Sequence, residues 1–342
     1  MECVLAEGVE WPGAVGVSGG GDSLALMFLL ADWAADLGLP PPVVLTVDHA
    51  LRRRSKTVAE SVVSRARRHG LVAHVLPWKG RKPRVDIEAA AREARYRLTG
   101  DWCRRNGIRS VFLAHSMEDQ AETFLLRLIR GSGVDGLAAM SPVATFPTQD
   151  CESLRVIRPL LDFPRARLRG YLSNRGETWF EDEMNADIRF ARARLRQNWP
   201  ALQKMGFSAE RIAAAARHLS RARSALDRDT QNLLACAARP QGKSVFLDAE
   251  AIAAAPEEIG LRAMAHVLMQ VSGQFYRPRF DRLERLVAAV RLHRLEGGRT
   301  LHGCCIKPAG KRVAFFGPRT VCIAPETGRR RHGKDGAEDF RC

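Results

Sequence analysis

The sequence predicts an α/β protein: a Rossmann-like first half on a parallel sheet, then a mainly α-helical second half ending in short strands. Three observations carry that expectation. Short β-branched apolar runs alternate with helical stretches as far as about Ile129. A glycine-rich turn joins the first such run directly to a helix. Beyond Arg165 arginine- and alanine-rich helical stretches take over, and apolar–polar alternation returns only from Gly297.

Taken in order, Ala14–Val17, Val43–Val47, Ala73–Leu76 and Val111–Ala114 have the length and β-branched content of buried strands. Ser23–Ala35, Val58–Arg68, Ile87–Asn106 and Gln120–Ile129 read as the helices between them. That rhythm implies right-handed βαβ crossovers and a parallel sheet covered by helices on both faces. A further short strand is expected at Leu154–Ile157, after a loop from Pro142 to Gln149. Pro164–Ser173 and Ile188–Asn198 are helical and dense in arginine. Phe207–Ala238 is a long alanine-rich helix with Ser208 as its N-cap; Glu210 lies on its opening turn, and Glu257 opens a later helix. Pro256–Val271 and Arg279–Leu295 continue the helical pattern, and Gly297–Ile323 reads as one or two hairpins around Gly303 and Gly310. The expected division is residues 1–200, 201–325 and a disordered tail from 326 to 342 carrying Arg329–Arg331.

Composition narrows the function classes. A hydrophobic fraction of 46% with 27% charged residues fits a globular chain that buries a core. The formal net charge of +16 is the unusual quantity, and it favours a polyanionic partner, nucleic acid being the common one. The first residues are acidic and do not form a signal peptide, and no apolar run is long enough to span a membrane, so a cytoplasmic protein without membrane association is expected. The eight cysteines include no C-x-x-C pair, which argues against a zinc site or disulfide scaffold.

The segment Ser18, Gly19, Gly20, Gly21, Asp22, Ser23 carries the most chemistry. Consecutive glycines let the backbone approach a ligand closely. Their N–H groups and the start of the next helix converge on an anion. The hydroxyls of Ser18 and Ser23 donate to phosphate oxygens. Asp22 alone would repel phosphate, which calls for a magnesium ion between them. The segment lacks the G-K-[ST] of a Walker A loop and the G-x-G-x-x-G of a dinucleotide site. It resembles instead the PP-loop, S-G-G-x-D-S, of the ATP pyrophosphatase superfamily, whose members split ATP between its α and β phosphates.

Further segments narrow the resemblance. Val47–Arg52 closes the second strand; Ala91–Tyr96 lies on a helix; Leu113–Thr123 runs on to Arg130–Gly133 and Leu137; Asn185, Asp187, Arg189, Arg192 and Arg196 follow in spacing. Together with the loop they are similar to the tRNA(Ile)-lysidine synthase family over about Ala14 to Pro200. Two positions depart from its A-H-H-x-D-D-Q pattern: Ser116 stands for the second histidine and Glu118 for the first aspartate. The run Glu181–Asn185 lacks the usual D-P-S-N form, and the chain is expected to stop short of that family's optional last domain.

The resemblance implies a substrate and a reaction. ATP adenylates the C2 oxygen of the wobble cytidine in an isoleucine tRNA with a CAU anticodon. The ε-amine of free L-lysine then displaces AMP and gives lysidine. Ser18–Ser23 would bind ATP and magnesium, with Asp48 and His49 on the adenine side. Asp119 and Glu122, three apart on one helix face, are candidates for the lysine ammonium or its proton. Arg95 would meet a carboxylate or phosphate, and His115, at the carboxyl end of a strand, would act near the α-phosphate. Arg130, Arg189, Arg192, Arg194 and Arg196 are candidates for tRNA phosphates. Trp179, Phe180, Phe190 and Trp199 are available for base stacking. The oligomeric state stays open, with a homodimer among the options. The competing readings are a sulfur-inserting PP-loop tRNA enzyme, disfavoured by the missing C-x-x-C, a small-molecule amide or NAD synthetase, and a non-catalytic RNA-binding protein.

Overall fold

A computed structural model describes residues 9–51, 54–80, 82–83, 86–148, 151, 153–181, 191–274, 276–295, 297–309, 316 and 319–326. Of the expected tail all but Glu326 lies outside the described residues, as do Arg52, Asn185, Asp187, Arg189, Phe190 and Gly310. The chain divides into two units, residues 1–220 and 221–342.

The first unit is built on a six-stranded sheet in the order β3-β2-β1-β4-β6-β5. Its strands are β1 (Ala14–Gly16), β2 (Val43–Asp48), β3 (Ala73–Pro77), β4 (Ser110–Phe112), β5 (Val143–Thr145) and β6 (Arg155–Ile157). Five run parallel, with β1 paired to β2 on one side and β4 on the other. The chain therefore moves outward from β1 to β3 and returns to the opposite side, which makes the carboxyl end of β1 a topological switch point. The stretch read as a loop from Pro142 to Gln149 contains β5, an antiparallel edge strand whose Val143 pairs with Ile157. A strand of three residues flanked by Pro142 and Pro147 carries no readable period, and prolines are tolerated at a sheet edge.

Helices α1 (Gly21–Asp36), α2 (Ser55–Arg68) and α6 (Arg165–Asn174) bring Leu24, Phe28, Val62, Leu168 and Leu172 into one core with Val15, Val44 and Ile157. Helix α3 (Ile87–Arg105) contributes Tyr96 and Cys103 to a second core with Ala14, Leu45 and Val111. Neighbours on β1, Ala14 and Val15, thus face opposite layers, as the pleat requires. Phe28 is 1% exposed, and truncating such a ring to alanine costs about 3–5 kcal/mol. Helices α4 (Met117–Ile129) and α7 (Ala191–Lys204) join around Ala121, Leu125, Leu195 and Ile212, with Trp199 packed against them. The short α5 (Val134–Leu137) follows α4, and the long α8 (Ala209–Ala237) opens with Ser208 Oγ accepting from Arg211 N–H at 3.2 Å.

The second unit contains a β-hairpin that sequence reading missed, β7 (Ala238–Gln241) and β8 (Ser244–Asp248), whose strands directly follow the α8 pattern. It completes a five-stranded antiparallel sheet, β7-β8-β11-β10-β9, with β9 (Arg299–Leu301), β10 (Cys304–Pro308) and β11 (Thr320–Pro325). Asp248 caps the short α9 (Ala249–Ala254), which is followed by α10 (Glu257–Ser272) and α11 (Phe280–Arg291). Ile252, Met264, Leu268 and Leu286 cover Leu247, Ile306 and Ile323 of the sheet. Among the described residues no helix is long and apolar enough to cross a membrane.

Candidate active site

The loop after β1 has the geometry of an anion cradle. Gly19 takes φ +89°, which an L side chain rarely adopts, and a Cβ there would lie 2.7 Å from Val58. Gly20 is the N-cap of α1, so Gly21, Asp22 and Ser23 form the first helical turn, two residues earlier than the sequence implied. The first-turn N–H groups have no intrahelical partner and carry the positive end of the helix. Ser23 Oγ accepts from Ser18 N–H at 3.2 Å, lies 3.2 Å from Ser18 Oγ and donates to Gly20 O at 2.9 Å, closing the loop on itself. From outside, Phe180 N–H donates to Gly19 O at 3.0 Å, and a Cβ on Gly21 would meet the Trp179 ring at 3.3 Å. Trp179 is packed against the first core, so it braces the loop, while Phe180 keeps 43% exposure.

Asp22 projects toward a group of carboxylates at the start of α4. Ser116 caps that helix: its N–H and its hydroxyl donate to Asp119 Oδ2 at 2.9 and 3.1 Å. Ser116 is fully buried, so the serine in the place of a family histidine has a structural task. Arg165, at the start of α6, links the whole group. Its Nε donates to Asp22 Oδ2 at 3.1 Å, Nη2 to Asp119 Oδ1 at 2.5 Å and Nη1 to Glu122 Oε1 at 3.4 Å. Its backbone N–H donates to both oxygens of Glu118, at 3.1 and 3.0 Å. Arg196 on α7 forks onto Glu122, Nε to Oε1 at 2.6 Å and Nη2 to Oε2 at 3.1 Å, and reaches Asp119 at 3.9 Å.

Electrostatics follow from this packing. Burial pushes the Asp22 carboxyl up, the Arg165 guanidinium opposes it, and the Asp119 charge adds to the rise. For Asp119 burial also works upward, but Arg165 and the Ser116 N–H outweigh it and hold the group below the usual carboxylate range. Burial works against the Arg165 charge, but the four surrounding carboxylates outweigh it and leave the guanidinium firmly charged. His115 is pushed down to about 4 by burial, against the pull of Asp119, with Arg158, Arg92 and Arg192 adding to the fall. It is therefore a neutral imidazole near pH 7, and its Nδ1 is buried without a partner among the described residues.

The other candidates fall in two places. Asp48 accepts from Ala50 N–H at 2.9 Å and from the Ser55 hydroxyl, shaping the turn after β2. His49 is pushed down to about 4 by burial and by Arg95, whose Nη2 lies 3.4 Å from His49 Nε2. Arg95 thus stands with His49. The guanidiniums that act on His115 include Arg92 and Arg158, which share the Tyr96 hydroxyl. Arg192 and Arg196, four apart on α7, both act on Asp119, whereas Arg194 between them is exposed. Arg130 is the exposed C-cap of α4, and Gly131 behind it takes φ +71°. Trp199 is taken into the α4–α7 core.

Sequence reading takes the arginines from Arg165 to Arg196 as an RNA-facing surface and misses the place of Arg165 among the site carboxylates. The only local signal is its position as the first residue after Pro164 at a helix start. Among the described residues no three His, Cys, Asp or Glu side chains group as a metal site. Asp22, beside the loop hydroxyls, suits a magnesium ion that takes its remaining ligands from substrate phosphates and water. Cys103 and Cys151 are buried, and burial pushes the Cys103 thiol up to about 12, the state of a structural thiol.

Comparison with known proteins agrees with this geometry. A family profile described as a PP-loop domain matches residues 9–202. The chain is 39% identical over 301 residues to the tRNA(Ile)-lysidine synthase of Ruegeria pomeroyi, covering 88% of this chain and 70% of that protein. It is 41% identical over 309 residues to the enzyme of the same name from Methylobacterium nodulans, covering 85% and 88%. A Bradyrhizobium relative with that name is 36% identical over 334 residues, covering 93% and 91%.

Proposed function

We propose, because this chain belongs to the tRNA(Ile)-lysidine synthase family of ATP-binding tRNA-modifying ligases, that it joins free L-lysine to the wobble cytidine of the isoleucine tRNA with a CAU anticodon. The observation that supports it best is the reach of one side chain. Arg165 touches the phosphate-loop aspartate and the α4 carboxylates at once, so a leaving diphosphate and a cationic nucleophile fit within one guanidinium's span.

In this reading the amides of Gly19–Ser23 and the Ser18 and Ser23 hydroxyls hold the β and γ phosphates of ATP. Asp22 would hold a magnesium ion, which supplies positive charge to the phosphates. The C2 oxygen of the cytidine attacks the α-phosphorus and pyrophosphate leaves, with neutral His115 donating a hydrogen bond to the α-phosphate. Asp119 and Glu122 bind the lysine ammonium in place of part of the Arg165 and Arg196 contacts, and one of them takes its proton. The amine nitrogen then bonds to C2 and AMP leaves. Arg92 and Arg158, on the cationic side of His115, suit the lysine α-carboxylate; Arg95, beside His49, suits the nucleotide phosphates. Arg130, Arg192 and Arg194, and Arg189 outside the described residues, are assigned to tRNA phosphates.

The test is to incubate the protein with ATP, magnesium, labelled lysine and unmodified isoleucine tRNA. Label entering the tRNA, with AMP and pyrophosphate released only when both lysine and tRNA are present, is the expected result. Pyrophosphate release with tRNA and a sulfur donor but not lysine would replace this reading with base thiolation.

A further inference from the structure

Between Tyr276 and Arg285 the second unit carries two large rings that its own core does not use. Tyr276 is 85% exposed and Phe280 is 57% exposed. The apolar stripe of α11 is satisfied elsewhere, by Leu283, Leu286, Val287 and Val290 inside the core. Pro278 between the rings is buried and fixes the loop. Single exposed apolar side chains need no explanation. Here, however, the rings alternate with exposed Arg277, Arg279, Arg282 and Arg285, against Asp281 and Glu284, four positive charges to two negative.

Hydrogen bonds order the backbone that flanks the rings. Gly273 ends α10 at φ +68°, Gln274 N–H donates to Ser272 Oγ at 3.2 Å, and its amide donates to His302 O at 3.4 Å. The N–H groups of Arg282 and Leu283 donate to Arg279 O at 3.1 and 3.0 Å. Exposed rings are free to stack, every nucleobase offers a π-face, and guanidiniums alongside can pair with the connecting phosphates. The net positive charge favours a polyanion that carries exposed rings over a purely apolar partner.

We propose that Tyr276 and Phe280, with Arg279 and Arg282, form a stacking surface for unpaired nucleotides of the substrate RNA. The surface takes single-stranded RNA, because bases inside a duplex present no free face. It rests on the reading that the substrate is a tRNA, and its test separates the two.

In the full-length protein, Y276A/F280A and R279Q/R282Q are compared with wild type for binding isoleucine tRNA and a fully paired RNA duplex, at several salt concentrations. The ring variant is expected to weaken tRNA binding at least about 10-fold with the salt slope unchanged and duplex binding intact. The arginine variant is expected to lower the slope of log K against log salt by about 2. Unaltered melting temperatures check that both variants fold. Unchanged tRNA affinity in the ring variant, or an equal loss on the duplex, overturns the proposal. So does a wild-type dimer that the ring variant converts to monomer, since a second copy would then cover the rings. Wild-type lysine transfer into tRNA alongside normal binding by the ring variant sinks this inference alone. Tight, ring-dependent tRNA binding without lysine transfer sinks the function reading alone.

Discussion

The two units use arginine in opposite ways. In the first, Arg165 and Arg196 are drawn into a cluster with Asp22, Asp119 and Glu122, and the Glu122 side chain is only 4% exposed. In the second, Arg279, Arg282 and Arg285 stay in water beside exposed rings, and the deeply buried guanidinium of Arg262 reaches outward to Asp227 and Glu258, which are 54% and 47% exposed. Charges cross-linked inside a site depend on one another and set its chemistry. Charges on a solvated face act separately, weakly and with strong salt dependence.

The largest effect expected from breaking that contrast is at Asp22. Asp22→Ala should lower lysine transfer at least about 1,000-fold, the scale of a lost preorganised charge, while tRNA affinity stays within about twofold. Substantial transfer by that variant would remove Asp22 from the phosphate site. Next comes a stability pair, read by thermal melting. Glu122→Gln leaves two guanidiniums short of a buried partner and should cost about 3 kcal/mol, the low end for a broken buried pair because both arginines stay partly wet. Arg262→Met should cost about 1 kcal/mol or less, since its half-exposed partners regain water. Equal costs would erase the distinction between the units.

Smaller effects sharpen it. Arg194→Ala should weaken tRNA binding evenly across sequences, reduce the salt slope by about 1 and leave ATP affinity unchanged. An unchanged slope would remove Arg194 from the RNA surface. His115 and His49 have folded pKa values pushed down to about 4 from 6.5, so both half-buried rings are neutral near pH 7. Their contribution to stability is fully present above about pH 6.5 and is lost as pH falls toward 4, because the unfolded chain binds the protons first. His115→Gln should therefore flatten the fall in melting temperature between pH 6.5 and 4.5, and an unaltered pH profile would mean His115 is solvated.

What could be read from sequence was local. The loop Ser18–Ser23 announces itself because a strand end, three glycines and a helix start are contiguous. The parallel strands β1 to β4 were legible for the same reason, each being a short run bounded by helical stretches. Arg165 was not, because its partners lie 143, 46 and 43 residues away in Asp22, Asp119 and Glu122, and no period encodes such a meeting. Arg196, expected among RNA-facing arginines, lies on the Glu122 side of α7, which only the packing of α7 on α4 determines. The hairpin β7–β8, with its turn at Gly242–Lys243, was hidden because its first strand directly continues an alanine-rich helix that masks it.

The most direct test is a structure of the protein crystallised with magnesium and a non-hydrolysable ATP analogue. The β and γ phosphates should lie within hydrogen-bonding distance of the Gly19–Ser23 amides, with the metal on Asp22. Phosphates bound at any other place, with that turn vacant, would contradict the assignment of the catalytic site.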